Sequence, residues 1–600
     1  MVQLVLRLWR LLPRRCRSGF LYSIPAKFLS SFVELVTLGC FAFVLTVLVR
    51  PEEQTHFQQW PAAKFAIQQL SEHSAIYFLT GLALIALVLN ELLALSTNQL
   101  RFRNLEETRI WLLNRLHESY LSRDFVWFLQ KSPAELKQDV VGRVQILTKS
   151  VIEGCYVFIG SAATALVLGA ALFYIDWSST VLGLAVITLP QVTIYLKMSP
   201  HIESWSKKQR QLKKELVRKI DGTFAMTKEL KVYGLEATSA SRVSLLQQRM
   251  KTISIRQNLA SQVTTRSLRL LFLTSVLLLV MLVRQLANFG GLTYLILYFG
   301  LLLRLVGTIS KAISAFYSVL FERPLLEDLL PELEYRSRPN TEAEFTDFKG
   351  RVEFRDVAFR HGVERNPVFE SLNFHWELRG TTVLLGPTGI GKTTLVDLLI
   401  GLLKPTKGEI SLDGRPLQEF QSSWQACLGY VSQDHPLMEA SVAENIAASM
   451  PGHELDLERV RRVAGLACIL DELESEPEGL SLQITEDGRE VSRGQKQRIA
   501  LARALYRQPL LLVLDEATSH LDGETERRIL DNLKKVPDLK ILLVTHRTRN
   551  ISPEDSVFEL FRDESNLVRI RRMSECEPRC PAGSSLIDKL SPDLLSERAP

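Results

Sequence analysis

The stretch TVLLGPTGIGKTTLVDLL, Thr382 to Leu399, decides the fold of the second half of this chain. Four strand-forming residues end at Leu385, a glycine-rich loop runs from Gly386 to Thr394, and an apolar run resumes at Leu395. The pattern predicts strand, loop, helix. Gly386, Gly389 and Gly391 let the backbone turn its N–H groups inward around a polyphosphate, and the helix that follows points its positive end at the same anion. In this reading Lys392 reaches the β- and γ-phosphates, Thr393 offers its hydroxyl to Mg²⁺, and Thr394 closes the loop. A glycine-rich turn without a ligand is the alternative, and the residues downstream weigh against it.

LLLVLDE, Leu510 to Glu516, reads as a buried strand ending in two carboxylates. Asp515 is placed to hold Mg²⁺ through water, and Glu516 to orient and activate a water attacking the γ-phosphate. Ahead of it, VSRGQKQRIALARALY, Val491 to Tyr506, opens with Ser492 as a helix cap. With these motifs in this order the chain resembles the ATP-binding-cassette (ABC) family. The resemblance implies that Ser492, Gly494 and Gln495 form a signature that completes the ATP site of a second, facing cassette. It implies that Gln433, in GYVSQDHPL, lies at ATP and Mg²⁺ and links them to a membrane part. Asp522, closing SHLD (Ser519 to Asp522), and His546, ending KILLVTH, become a nucleotide-contacting aspartate and the histidine at the γ-phosphate. Glu486, in ITEDGRE, resembles a loop that touches the membrane domain of exporters. Two positions depart from the family. His361 stands where an aromatic normally stacks on adenine, leaving Phe359 as the other candidate, and Arg493 replaces a small signature residue.

Six hundred residues exceed one core. The composition is 46% hydrophobic with 23% charged residues, and the mean hydropathy is +0.07. Apolar runs crowd 28 to 312, and charge dominates elsewhere. The net charge of +6 comes with no basic run interleaved with aromatics, which argues against a nucleic-acid partner. The 7 scattered cysteines read as reduced thiols; Cys576 and Cys580 have the spacing of half a metal site but no second pair.

Apolar segments of spanning length fall at about 29–49, 75–95, 153–175, 178–198, 268–287 and 291–312, so six spans are predicted. The lysines and arginines of 101–149 and 207–231 place both long loops in the cytoplasm. Residues 51–74 and the turns near Asp176 and Asn288 then face outward, and both termini stay inside. Residues 1–24 read as an interfacial helix, with Leu4, Leu8, Trp9, Leu11 and Leu12 toward lipid and Arg14, Arg15 and Arg17 toward anionic headgroups. Exporters resembling this chain have such an elbow, and the loop tips at 125–132 and 220–226 resemble their coupling helices.

The predicted architecture is therefore an elbow at 1–24, a polytopic α-helical membrane domain at 25–320, a linker at 321–346, an α/β P-loop ATPase at 347–573 and a disordered tail at 574–600. Pro324, Pro331 and Pro339 suggested the linker. One P-loop and one signature per chain require pairing, with a second copy of the chain or with a related half-transporter. The resemblance implies ATP and Mg²⁺ as cofactors, a membrane-lipid environment and ATP-driven export in an integral, bacterial inner-membrane protein with its ATPase in the cytoplasm. Arg304 inside the sixth span, with Lys311 on the same helix face, marks either an internal ion pair to Glu34 or Glu91, with Lys311 snorkelling, or a cavity for an anionic, lipid-linked substrate. AELKQDVVGRV, TLVDLLIGLLKPTKGEI and the outward segment 51–74 resemble the branch that flips lipid-linked oligosaccharides; multidrug, lipid or peptide export stays open, as does a nucleotide-gated channel or regulatory ATPase.

Overall fold

The computed structural model describes residues 2–49, 72–175, 177–285, 291–336, 345, 347–362, 366–448, 454–485, 491–517, 521–546 and 551–573. The chain forms two compact units, Met1–Arg123 with Trp127–Ser337, and Asp124–Val126 with Arg338–Pro600.

The first unit is helical. Among the described residues four helical segments are long and apolar enough to cross a bilayer: Arg14–Phe41, Thr80–Leu121, Glu135–Ile175 and Tyr298–Phe321. They coincide with the first, second, third and sixth predicted spans. The segment 178–198 falls within the continuous helix Trp177–Ala225, and residues 268–285 of the segment 268–287 within Glu236–Gln285, although residues 286–287 and many of the side chains lie outside the described residues. So do most of the outward segment 51–74 and the turns at Asp176 and Asn288. The helices Glu72–Leu121, Trp177–Ala225 and Glu236–Gln285 have 50, 49 and 50 residues. At a rise of about 1.5 Å per residue they far outrun a hydrocarbon core of about 30 Å.

Three local readings need correction. The stretch 321–346 is not all linker, because Arg323–Glu334 is a helix with Pro324 in its first turn, where the missing N–H costs nothing. Leu325, Leu326, Leu329, Leu330 and Leu333 bury one face of it against Leu112, Leu116, Leu147 and Val151, and that burial outweighs Pro331. The elbow helix covers only Val2–Leu11. Leu4, Leu8 and Leu11 pack into the same helical core rather than toward lipid, and Val2 and Leu6 are the exposed apolar residues. The second loop tip also lies later than expected. Residues 220–225 end a long helix, and the short helix is Thr227–Tyr233, closed by Gly234 in the left-handed region at φ 64°. At the first tip a short helix spans Phe125–Leu129.

The second unit is built on two main sheets and also holds a two-stranded antiparallel ribbon of β7 (Ala440–Ser441) and β8 (Gln483–Ile484). The strands β1 (Arg351–Phe359), β2 (Phe369–Glu377), β4 (Lys407–Leu412) and β5 (Arg415–Pro416) form an antiparallel sheet in the order β2-β1-β4-β5. The central sheet has the order β12-β11-β3-β10-β9-β6, with β3 (Thr381–Leu385), β6 (Leu428–Val431), β9 (Leu511–Asp515), β10 (Lys540–Val544), β11 (Ser556–Arg562) and β12 (Val568–Arg572). Strands β11, β3, β10, β9 and β6 are parallel, and β12 closes the edge antiparallel. Alternate residues serve opposite faces. Leu384, Leu511, Val513, Leu542 and Val544 enter one core, while Val383, Leu512, Leu514, Ile541 and Leu543 enter the other. A sheet covered on both faces explains why these strands read as continuous apolar runs.

Candidate active site

The register of the central sheet assembles the site. Val544 pairs with Leu384 on one side and with Asp515 on the other, and Val431 pairs with Leu514. The chain beyond each of these residues leaves the sheet at the same edge. Gly386, Glu516, His546 and Gln433 therefore follow the carboxyl ends of four adjacent parallel strands, the position where open α/β sheets bind ligands.

The loop after β3 has Gly386, Gly389 and Gly391 at φ 155°, 79° and 112°. At Gly391 the requirement is twofold, since a Cβ there would also meet Val368 Cγ1 at 2.8 Å. The helix Lys392–Leu399 starts directly behind it. Lys392 is buried, and its ammonium donates to the carbonyls of Gly386 at 2.7 Å and Pro387 at 3.3 Å. Its charge is thus held inside the loop. The Thr393 hydroxyl donates to the carboxylate of Asp515, so two of the three predicted Mg²⁺ residues are neighbours. Burial pushes the Asp515 carboxyl above its ordinary value and Glu516 adds to the shift, against the Thr393 hydrogen bond. Two adjacent hard oxygen donors beside a phosphate loop suit Mg²⁺, which takes few protein ligands and keeps its waters.

Glu516 is held in the left-handed region at φ 50°, a strained position for a side-chain-bearing residue, with its N–H on the Val544 carbonyl at 3.0 Å. Its carboxylate receives the Gln433 amide at 3.3 Å and lies 3.6 Å from His546 Nδ1. Two residues far from Glu516 in sequence converge on its carboxylate, which an amide and an imidazole then aim. Such a group can orient and deprotonate a water.

His361 Nε2 is 3.2 Å from the Thr394 hydroxyl, and the ring packs edge-on against Phe359 at a centroid distance of 4.9 Å. The position expected to face adenine is thereby tied to the phosphate loop. Ser492 caps the helix Arg493–Tyr506 in a reciprocal box: its hydroxyl accepts the Gln495 N–H at 3.2 Å, and Gln495 Oε1 accepts the Ser492 N–H at 2.8 Å. Gly494 lies in the first turn of that helix. Asp522 caps the helix Gly523–Lys534 through the N–H groups of Glu524 and Thr525, and these bonds hold its carboxyl below the ordinary value. Ser519 and Glu486 lie outside the described residues. In the membrane unit Arg304 pairs with Glu34, one of the two partners anticipated, while Lys311 is exposed.

Two contributors went unread in the sequence. Asp397, one turn beyond Thr393, is pushed up to about 6 by burial and by Asp515, and burial raises the Tyr430 phenol, with Asp515 and Asp397 adding to the shift. Glu472 accepts from Gln495 Nε2 and pairs with Arg498, which also donates to the Cys468 carbonyl at 2.6 Å. Asp397 was hidden in an apolar helix. Glu472 was hidden in an acidic surface run.

Comparison with known proteins bears on the same elements. Residues 369–519 match the family model described as ABC transporter. The ATP-dependent lipid A-core flippase of Ralstonia nicotianae is 29% identical over 459 residues, 74% of this chain and 76% of the relative. Multidrug resistance protein 4 of Entamoeba histolytica is 34% identical over 261 residues, 43% of this chain and 19% of that protein. Among solved structures, a bacterial Atm1-family ABC exporter with ATP bound matches the fold with a TM-score of 0.75 at 20% identity, covering 91% of this chain and 93% of the other.

Proposed function

Because this chain is an ABC half-transporter of the exporter type, its membrane domain fused ahead of its ATPase, we propose that it uses ATP to flip an anionic, amphipathic lipid from the cytoplasmic leaflet. ATP hydrolysis coupled to export is the activity of this architecture. In the proposed cycle Lys392 and the N–H groups of the phosphate loop bind the triphosphate, and Thr393 and Asp515 hold Mg²⁺. The metal would supply neutralising charge at the β- and γ-phosphates. Glu516, oriented by Gln433 and His546, takes the proton of the attacking water. Ser492, Gly494 and Gln495 of a second copy would close over the same nucleotide, with Asp522 nearby. Separation of the cassettes after hydrolysis resets the membrane domain.

The observation that carries the cargo reading is electrostatic. Arg304 has Glu34 as its partner within the spans, yet Lys27 shares its surroundings with Glu34, Lys311 and Arg304, while Arg101 has Glu153 at 4.0 Å. Glu34 offsets one of these charges, and ionisable groups at membrane depth persist where they meet water, partners or ligands. A phosphate- or pyrophosphate-bearing headgroup suits the remainder, as in a lipid-linked oligosaccharide or a lipid A-like glycolipid. The relatives named as lipid A-core flippases extend over most of the chain, whereas the multidrug relative matches less than half of it. The setting is a bacterial inner membrane with the cassette facing cytoplasmic ATP.

The test is reconstitution in liposomes with lipid-linked sugars, lipid A-like glycolipids, phospholipids and cationic drugs. The parent should flip a phosphorylated lipid, and Glu516→Gln should bind ATP normally while losing roughly 10²-fold or more of its hydrolysis. Arg304→Ala should reduce flipping of the phosphorylated lipid. Transport of cationic drugs alone, or flipping indifferent to Arg304→Ala, refutes the anionic cargo.

A further inference from the structure

A groove of about 520 Å³ separates the elbow helix from the helical bundle behind it, within the range of small-molecule pockets at about 300–1,000 Å³. Its walls are almost wholly apolar and include Val5, Leu6, Trp9, Phe20, Ile159 and Phe316. Exposed apolar residues, Val2, Leu6, Leu21 and Phe158, rim its mouth. In a chain of this architecture that mouth opens at the cytoplasmic ends of the spans, where acyl chains are the available apolar matter.

The polar groups around the groove add chemistry that a bare apolar cleft lacks. Asn104 and Tyr156 line it, and Asn104 Nδ2 and Tyr156 Oη are buried without a hydrogen-bond partner among the described residues. Arg17 lies on the same helix stripe as the lining residues Cys16, Phe20 and Ile24, and Arg101 lies one turn before Asn104 and Leu105. The Nε atoms of Arg17 and Arg101 are also buried without a hydrogen-bond partner among the described residues, the Arg101 guanidinium reaching Glu153 only through Nη2 at 4.0 Å. Each of these four atoms can donate a hydrogen bond, and two belong to cations. Buried polar groups normally find partners, so the missing partner is one that brings acceptors and negative charge together with an apolar tail. The exposed Arg14 and Arg15 at the start of the same helix strengthen the field.

We propose that this groove is a binding site for a resident anionic phospholipid, with an acyl chain between the elbow and the bundle and the phosphate and ester oxygens on Arg17, Arg101, Asn104 and Tyr156. The lipid fastens the elbow helix to the spans. Because it is a fixed part of the transporter and not the cargo, the site does not depend on which substrate is moved.

The experiment uses the full chain in phosphatidylcholine nanodiscs containing a minor fraction of photoactivatable lipid, either phosphatidylglycerol or phosphatidylcholine with the same acyl diazirine. Phosphatidylglycerol should label peptides from 2–24 and 151–159 in preference to other span faces, and phosphatidylcholine should not. Arg17→Gln and Arg101→Gln should each lower this labelling by about fivefold, as expected for one basic residue lost beside an anionic headgroup. Arg17→Lys and Arg101→Lys should retain most of it. Cys155→Trp, which fills the groove and spares both arginines, should abolish it and reports separately should an arginine variant fail to fold. Equal labelling by the two lipids, label spread evenly over the spans, or indifference to all of these substitutions overturns the site. Label that leaves the groove during ATP turnover marks the lipid as cargo and overturns residency, whatever the flipping assay shows.

Discussion

At the scale of single residues, the fold holds two carboxyls beside the phosphate loop above their ordinary protonation range. Asp515 and Asp397 share one buried neighbourhood, and burial raises both carboxyls. For Asp397 the shift is from 3.8 to about 6. A raised carboxyl pKa means that the folded chain binds the proton more tightly than the unfolded chain. The resulting stabilisation is present below the ordinary value and is lost as pH rises toward about 6. Asp397→Asn should therefore stabilise the cassette at neutral pH by ~1 kcal/mol, a figure already reduced for partial exposure. Thermal unfolding of the full chain across a pH series should show the gain shrinking on acidification. A gain independent of pH would mean that Asp397 is not the group being relieved.

At the scale of elements, the helix Arg493–Tyr506 shows how the proposed signature turn is held. Its first turn is capped by Ser492 and Gln495, and Glu472 grips it from outside through Gln495 and Arg498. Arg498 is largely buried while Glu472 is part exposed, so the contact contributes modestly to stability, on the order of 1 kcal/mol. Glu472→Ala should lower the thermal midpoint slightly, leave ATP binding at Lys392 unchanged and depress hydrolysis, because the signature turn loses its brace. Calorimetric ATP titration and steady-state ATPase assays separate these effects. Weakened ATP binding in this variant would place Glu472 at the nucleotide instead. Two further elements follow the same logic, in which burial overrides local signals. The leucine face of Arg323–Glu334 keeps a proline-bearing segment helical, and the elbow helix turns Leu4, Leu8 and Leu11 into protein.

At the scale of the whole molecule, each chain of 68.0 kDa carries one phosphate loop and one signature. Lys392→Ala and Ser492→Arg attack the two halves of the proposed composite site. Each variant alone should be nearly inactive. Co-expressed, they pair to leave one intact site in the mixed dimers, and ATPase activity should recover to as much as about a quarter of the parent. Recovery also requires a mass of two chains in nanodiscs. Absence of recovery, or full activity in a monomer, refutes sharing between copies.

Much of this protein was legible from its sequence, and for a physical reason: phosphate loops, strand runs ending in carboxylates and spanning segments are short, local patterns whose meaning is set by backbone geometry or by the thickness of a bilayer. Gly386 to Thr394, Asp515 and Glu516 are such local patterns, and their order along the chain, with Ser492, Gln433 and His546, weighs against a ligand-free glycine turn. Arg304 could be singled out because charge is rare in an apolar run, but only the packing of the spans chose Glu34 over Glu91 as its partner. The tertiary structure also decided that Gln433 and His546 converge on Glu516, because that follows from the register of β6, β9 and β10. It decided that Asp397 sits beside Asp515, that Glu472 braces the signature, and that four orphaned donors surround one apolar groove. These are properties of pairs of residues distant in the chain, and burial and proximity between such pairs come into being only when the chain folds.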